Sequence, residues 1–277
     1  MARPIPGPDS SPAGGDPVAL LRTALDAARL GGEVLKRSLE AGGALDVTEK
    51  GRNDFVTRAD RESEEAVVSF IRSRHPGHGF RAEESPAAPG TVAEWIIDPL
   101  DGTTNFIHRY PFFATSVAVR VGGELTAGAV YDPVRDEMFS AARGRGAALN
   151  GSPIRVSGCS RIADALLVTG FPFRSLAVLP RFLDSLDRLI RASSGVRRDG
   201  SAALDCCYVA CGRLDGFWEC ALSAWDIAAG ALIIREAGGV VTDFEGADGF
   251  LDSGDIVASS RAMHPAFLEE VRRAFRP

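Results

Sequence analysis

The chain has 277 residues, of which 45% are hydrophobic and 25% are charged, and its 31 basic and 37 acidic residues give a net charge of −6. This composition is typical of a globular protein with a sizeable core. The interspersed charges offer no basic stripe, so we expect no nucleic-acid partner. No apolar run is long enough to cross a membrane and the start lacks the order of a signal peptide, so we expect a cytoplasmic protein with no membrane partner.

The first helix is predicted directly after a leader. Residues 1–15 hold four prolines among small polar residues and should be disordered. Asp16 can cap a helix that has Pro17 in its first turn, and apolar residues then recur at helical spacing until Gly42-Gly43. Gly32 lies on the apolar face of this helix, which predicts close packing there.

The middle of the chain changes from helix to strands. A second helix should follow Asp60 and end before His75, and Glu83-Glu84 should lie in a loop after Gly79-Phe80. Short runs rich in Val, Ile, Phe and Tyr fill residues 94–142 between turn residues, which predicts antiparallel strands.

Strands and helices alternate in the last part of the chain. We predict strands at 165–169, 215–219, 240–243 and 256–259, and helices at 175–192, 201–211 and 224–237 and after Pro265. The expected fold class is therefore α/β (α+β), with an N-terminal α+β half (16–158) and a C-terminal α/β half (159–277) closely packed as layers of sheet and helix.

Two carboxylates follow an apolar strand in the run Trp95-Ile-Ile-Asp-Pro-Leu-Asp-Gly-Thr. Pro99 in the turn should bring Asp98 and Asp101 together. Two anions that close would resist ionisation without a counter-charge, which favours a divalent cation that prefers oxygen, such as Mg²⁺. Gly102 and Thr103 then offer N–H groups and a hydroxyl to a phosphate or a water. The alternative is an ordinary Asp-Pro turn.

Carboxylates in two distant segments could join this pair. Glu83 precedes it by 15 positions, and Asp226 follows Trp225 at the start of a predicted helix. Each has a structural alternative, since Glu83 could be a solvated loop charge and Asp226 could form a capping box with Ser223.

Three segments in this order resemble the signatures of the inositol monophosphatase family, the lithium-sensitive, Mg²⁺-dependent phosphatases. They are Ala82–Ser85, Trp95–Phe112 and Trp225–Gly230. The resemblance extends from about residue 17 to the end of the chain. It implies the layered αβαβα sugar-phosphatase fold and a homodimer.

The resemblance also implies roles for individual residues. One metal would be bound by Glu83, Asp98 and the Leu100 carbonyl, a second by Asp98, Asp101 and Asp226, with two or three Mg²⁺ ions per site in all. The implied catalytic residues are Glu83, Asp98 and Thr103, the implied substrate contacts are Asp101, Gly102, Thr103 and Glu219, and the supporting positions are Asp60 and Lys50. A cation-activated water would then attack the phosphate without a covalent enzyme intermediate.

Inositol 1-phosphate is the leading candidate substrate because Thr104-Asn105 resembles the inositol branch of the family. Relatives act on fructose 1,6-bisphosphate, histidinol phosphate or nucleotides, and the nucleotide and histidinol branches often carry Lys or Arg at that place. A second phosphate could be held by Arg174, Arg197 or Arg198. We favour solvated surface charge for each, and bisphosphatase activity stays the alternative.

Other classes of function fit less well. Haloacid-dehalogenase-type phosphatases have one residue between their two aspartates instead of two, and neither a serine-hydrolase elbow nor a Walker loop is present. Cys207 and Arg213 match the Cys-x5-Arg spacing of cysteine phosphatases, but the residues between them indicate a helix interior with buried, reduced thiols. A regulatory binding protein that uses the phosphatase fold remains an alternative of another kind.

Overall fold

The structure is a computed structural model that describes residues 15–42, 46–51 and 54–276. The predicted leader, residues 1–15, lies outside this part of the chain except for Gly15. The first twelve elements are α1 (Pro17–Ala41), β1 (Thr48–Gly51), β2 (Asp54–Val56), α2 (Arg58–Arg74), β3 (Gly79–Ala82), β4 (Ala93–Asp101), α3 (Thr103–Ile107), β5 (Ala114–Val121), β6 (Glu124–Asp132), β7 (Glu137–Ala142), β8 (Ala147–Leu149) and β9 (Ser152–Ile154). The remaining elements are β10 (Leu166–Thr169), α4 (Leu179–Ala192), β11 (Gly195–Arg197), α5 (Ala202–Ala210), β12 (Gly216–Glu219), α6 (Ala224–Glu236), β13 (Gly239–Thr242), α7 (Phe250–Ser253), β14 (Ile256–Ser260) and α8 (His264–Phe275).

Two large sheets form the framework. The first has seven strands in the order β3 to β9, and all its neighbours are antiparallel except β3 and β4. The second has five strands in the order β11-β10-β12-β14-β13, in which β10 runs parallel to both β11 and β12. Strands β1 and β2 pair antiparallel in a separate two-stranded sheet. The antiparallel prediction for residues 94–142 is confirmed.

Strand alternation sends side chains of each sheet into two different cores. On β4, Trp95 and Ile97 pack with α1 and α2, whereas Ile96 points to the opposite face and packs with α5 and α6. On β12, Phe217 packs with α5 and α6, and Trp218 packs with α4 and α8. Successive residues of a strand face opposite sides, so each sheet is covered on both faces.

The helix α6 lies at the centre of these layers. Ten of its thirteen residues are buried, as expected for a helix that is apolar on all sides. It contacts strands of both sheets. The layers are therefore α1/α2, the first sheet, α5/α6, the second sheet and α4/α8, which confirms the predicted αβαβα fold. The division of the chain at residue 158 stays a prediction.

Several predicted boundaries need correction. Helix α2 begins at Arg58 because Thr57 and Asp60 form a capping box, so Asp60 lies inside the first turn. Residues 79–82 form a strand, β3, that was not predicted, because they pair in parallel with β4, and Glu83-Glu84 follow it in a loop, as predicted. The helix predicted from 175 begins as a separate 3-10 turn, and α4 starts at Leu179 with a proline in its first turn.

Close packing at Gly32 is confirmed, because a Cβ there would overlap the ring of Tyr131 on β6. Among the described residues, none of the helices combines the length and the apolar character needed to cross a bilayer.

Candidate active site

The end of β4 is shaped by a proline. The ladder between β4 and β5 shifts register between Asp98 and Asp101, as expected where Pro99 cannot donate to a neighbouring strand. The Pro99 carbonyl instead accepts hydrogen bonds from the hydroxyls of Ser63 and Thr115, each at 3.0 Å. The Leu100 N–H donates to Asp98 Oδ1 at 2.9 Å. This irregular strand end directs both aspartates to one cavity.

A third carboxylate reaches the same point from α6. Asp226 lies in the first turn of α6 and accepts a hydrogen bond from the Ser223 N–H at 2.7 Å, so the capping box is present. One oxygen each from Asp98, Asp101 and Asp226 all lie within 4.8 Å of one another. Asp226 therefore both caps α6 and completes a cluster of three buried carboxylates.

The electrostatics of the cluster fit a bound cation. Burial raises the pKa of Asp98 well above its ordinary value, and the charges of Glu83, Asp101 and Asp226 raise it further. Burial and the neighbouring Asp226 charge raise the pKa of Asp101 to about 7. These pKa shifts show that the three carboxylates repel one another when they are ionised, and a divalent cation would offset that repulsion. Carboxylate oxygens are also the ligands that Mg²⁺ prefers.

Asp101 is held in place by residues at the start of α5. Its Oδ2 accepts hydrogen bonds from the Ser201 hydroxyl at 2.5 Å and from the Ala203 N–H at 2.8 Å, both at the start of α5. Ser201 also caps α5 by accepting from the Leu204 N–H. The N-terminal end of α5 thus favours the charged form of Asp101 and opposes part of the effect of burial.

Gly102 and Thr103 begin the short helix α3. Gly102 has a φ of +94°, a conformation that favours glycine. The Thr103 hydroxyl lies 3.1 Å from the Leu100 carbonyl and 3.3 Å from Asp60 Oδ1. Asp60 is fully buried, and burial raises its pKa to about 6 although two hydrogen bonds from Thr57 oppose the shift. Asp60 therefore supports the Thr103 hydroxyl, which can donate to one of its two acceptors at a time.

A cavity of about 330 Å³ contains the cluster. Glu83, which follows β3, lines it, and its Oε1 lies 3.7 Å from Arg174 Nη2. Arg198 lines it as well, and its guanidinium packs over Phe171 and Phe173 at 5.1 and 5.3 Å from the ring centroids. Arg174 and Arg198 are exposed, as expected of solvated charges, but both also line the cavity. Arg197 is exposed, as expected.

Glu219, the last residue of β12, also lines the cavity. Burial and the charge of Asp226 raise its pKa to about 8, although Arg198 acts in the opposite direction. Gly170 leaves room for it, since a Cβ at that position would overlap the Glu219 carboxylate. A neutral Glu219 carboxyl at neutral pH can donate a hydrogen bond as well as accept one.

The predicted site residues that line the cavity are Glu83, Asp98, Leu100, Asp101, Gly102, Thr103, Glu219 and Asp226. Asp60 lies directly behind Thr103. Lys50 belongs to β1, and its side chain lies outside the described part of the chain.

The sequence alone did not indicate that Ser201 contacts Asp101 or that Asp205 is a buried carboxylate near the site. Ser201 lies 100 positions from Asp101 in the chain. Its position at the start of a predicted helix indicates only a helix cap. Asp205 is buried on α5, and its Oδ1 has no hydrogen-bond partner among the described residues. Burial and the charge of Glu219 raise its pKa well above the ordinary value. Its place in the middle of a predicted apolar helix was the signal that could have identified it.

Cys207, the candidate nucleophile of a Cys-x5-Arg site, lies in a helix interior. Cys206 and Cys207 are buried in α5, and burial raises the pKa of the Cys207 thiol well above its ordinary value. A thiol that resists ionisation is a poor nucleophile, which confirms the interpretation of Cys207 as part of a helix interior.

Comparison with known proteins assigns the family. The sequence model described as the inositol monophosphatase family matches residues 16–276. The chain belongs to the inositol monophosphatase family. It is 46% identical to the Nus factor SuhB of Pseudomonas aeruginosa over 264 residues, which are 93% of this chain and 97% of that protein. The resemblance drawn from the three motif segments is thereby confirmed.

Solved structures agree with this family assignment. The suhB protein of Bartonella henselae matches with a TM-score of 0.89 at 40% identity, covering 92% of this chain and 99% of that chain. The inositol monophosphatase of Anabaena (Nostoc) matches with a TM-score of 0.84 at 38% identity, covering 92% and 96%. The family and these neighbours support a phosphatase-type enzyme that acts on a small phosphorylated molecule.

Proposed function

We propose that this family member is a Mg²⁺-dependent phosphomonoesterase that hydrolyses inositol 1-phosphate to inositol and phosphate. The observation that carries the proposal is the meeting of Asp98, Asp101 and Asp226, whose oxygens lie within 4.8 Å of one another. These residues come from a strand end and a helix start more than 120 positions apart, and all three are buried. An all-oxygen donor set favours Mg²⁺ over softer metals.

The donors divide into two positions. Glu83, Asp98 and the Leu100 carbonyl would hold one cation, and Asp98, Asp101 and Asp226 would hold another, within a total of two or three ions. Bound there, Mg²⁺ would supply a Lewis acid that activates water and stabilises the leaving oxygen. Asp98 is shared by both positions, so its removal should affect the site most.

The chain's own groups would place the reactants. In the proposed arrangement Glu83 and the Thr103 hydroxyl orient the attacking water, and Asp60 fixes the Thr103 hydroxyl from behind. The N–H groups of Gly102 and Thr103 bind phosphate oxygens, and Asp101 contributes to substrate binding. Glu219, with its raised pKa of about 8, hydrogen-bonds a hydroxyl of the polyol.

The charge of the cavity favours one phosphate group. With Glu219 neutral, two divalent cations balance the four remaining candidate ligand carboxylates. The guanidinium groups of Arg174 and Arg198 are then left to match the dianion of a phosphomonoester, whose charge near pH 7 is about −1.5 to −2. A bisphosphate would leave excess negative charge. Fructose-1,6-bisphosphatase activity is therefore an alternative and not the first choice, and histidinol-phosphatase activity is the other alternative.

Asn105, part of the motif typical of the inositol branch, has a structural use. Its Nδ2 donates to the carbonyls of Phe112 at 2.7 Å and Asp199 at 2.9 Å. It thereby joins the first sheet's loop to the segment just before Ser201. A Lys or Arg at this position would not reproduce these amide contacts. Thr104, next to it, lines the cavity.

The test is a phosphate-release screen with inositol 1-phosphate, fructose 1,6-bisphosphate, histidinol phosphate and NADP, each with and without Mg²⁺. We expect Mg²⁺-dependent turnover that is fastest with inositol 1-phosphate and inhibited by lithium. Asp98→Asn should lose about 3–4 kcal/mol of transition-state stabilisation or more, a fall in kcat of at least ~100-fold. Asp187→Asn, which removes an exposed carboxylate on α4, should retain full activity. Wild-type-like turnover of Asp98→Asn would contradict the proposal.

A second candidate function is regulatory binding by the same fold. It is favoured by the name of the relatives at 44–46% identity, Nus factor SuhB, which is not the name of a phosphatase. This function would be indicated if turnover were absent with all four substrates and Mg²⁺ while one protein partner bound wild type and Asp98→Asn equally. In either case we propose that the protein is cytoplasmic and forms a homodimer. Sedimentation velocity would test the homodimer.

A further inference from the structure

An arginine and a glutamate that both line the cavity form an ion pair. Arg174 Nη2 lies 3.7 Å from Glu83 Oε1. The Glu83 side chain is 8% exposed, whereas that of Arg174 is 47% exposed. Glu83 follows β3 of the first sheet, and Arg174 lies in the segment after β10 of the second sheet. The contact therefore connects the two sheets at the candidate active site.

The segment that carries Arg174 is also anchored on its own side. Phe171 packs on Phe182 of α4, with ring centroids 5.8 Å apart, and Arg198 covers both Phe171 and Phe173. These contacts do not involve Glu83. Loss of the Glu83 contact would therefore leave the segment attached to the second sheet, and the Arg174 guanidinium would stay at the wall of the cavity.

Two cationic groups would thus interact with the Glu83 carboxylate. One is the guanidinium of Arg174, and the other is the proposed Mg²⁺ ion. A Mg²⁺ ion ligated by Glu83 would lie about 2.0–2.1 Å from one of its oxygens. A guanidinium within 4 Å of the same carboxylate would then face a divalent charge a few ångströms away. Both groups favour the same negative charge and repel each other.

We propose that Arg174 and the divalent cation compete for Glu83. Arg174 balances the Glu83 charge in the metal-free protein, lowers the affinity for the cation, and is released to the cavity wall when the cation binds. This inference rests on the proposed function, because it requires that Glu83 bind a cation.

Calorimetric titration of the full chain with Mg²⁺, without substrate, tests the competition. Because Glu83 is only 8% exposed, its ion pair with Arg174 should contribute about 0.4–1 kcal/mol, the upper part of the range for surface pairs, so Arg174→Gln should bind Mg²⁺ roughly two- to fivefold more tightly than wild type. Arg174→Lys keeps the charge and should stay close to wild type. Arg197→Gln removes the same charge from an exposed strand end and should change the affinity by less than about 1.5-fold, because solvent screens it.

A double-mutant comparison separates local competition from a general charge effect. In a Glu83→Gln background, Arg174→Gln should leave the affinity of the remaining cation position unchanged. The competition is overturned if Arg174→Gln binds Mg²⁺ no more tightly than wild type, if Arg197→Gln gains as much, or if the gain persists without Glu83. Failure of wild type to bind Mg²⁺ at all would instead contradict the proposed function, so the two failures are distinguishable.

Discussion

Asp101→Asn should make the metal-free protein more stable against unfolding. The same substitution should greatly reduce the stabilisation that Mg²⁺ gives. Asp101 is buried at 8% exposure, and burial together with Asp226 raises its pKa from 3.8 to about 7. Between about pH 4 and pH 7 the folded protein keeps a proton that the unfolded chain has lost. Stability therefore falls as pH rises through this range, by about 1.4 kcal/mol per pH unit.

The size of the stability gain in Asp101→Asn follows from the raised pKa of Asp101. A rise from 3.8 to about 7 corresponds to a destabilisation of about 4 kcal/mol at pH 8. Asparagine keeps an acceptor for the Ala203 N–H, but it loses the charged partner of the Ser201 hydroxyl, at a cost of about 1–2 kcal/mol. The expected net gain for Asp101→Asn is about 2–3 kcal/mol at pH 8. Near pH 5 the two proteins should differ by less than about 1 kcal/mol.

Urea unfolding in the presence of a chelator, at pH 5 and pH 8, measures this difference. Asp187→Asn is the control, because Asp187 is exposed and its pKa is lowered by Arg191. With Mg²⁺ at 100 times its Kd, wild type should gain about 2.7 kcal/mol, whereas Asp101→Asn should gain much less. A metal-free Asp101→Asn protein that is less stable than wild type at pH 8 would refute the reasoning.

Three further substitutions test separate parts of the account. Cys207→Ala should keep turnover within about twofold and cost about 1 kcal/mol of stability in urea unfolding; total loss of turnover would instead favour a cysteine nucleophile. Gly102→Ala should destabilise the protein by about 1–3 kcal/mol, because its φ is +94° and the new Cβ would lie 3.0 Å from the Phe112 carbonyl oxygen. Gly32→Ala should cost about 1–3 kcal/mol by overpacking against Tyr131, with the drop measured as a lower Tm and turnover per folded molecule unchanged.

The sequence predicted most of the fold where local signals agreed. Helix α1 has a capping Asp16, a proline in its first turn and Gly42 after its end, and each signal matches the structure. Strand β3 was missed because it has four residues and is specified by pairing with β4, a contact that no local pattern encodes. The start of α2 was displaced because Asp60, taken as the residue before the helix, is the third residue of the helix and forms a capping box with Thr57.

The candidate site shows the same division between local and distant information. The approach of Asp98 and Asp101 follows from one proline in a turn, so short-range reasoning was sufficient. That Asp226 reaches the same point depends on α6 packing between the two sheets, which the family resemblance implied and residue spacing could not. The roles of Ser201, Arg174 and Arg198 depend on side chains that meet across the cavity, and nothing in their own segments indicates a distant partner.

The most direct test of the account is the position of a cation in crystals grown with Mn²⁺ in place of Mg²⁺. The anomalous difference map should show a peak within about 2–2.4 Å of carboxylate oxygens of Asp98, Asp101 and Asp226. Saturating Mn²⁺ with no peak at these three residues, and with the ion bound elsewhere, would contradict the central claim.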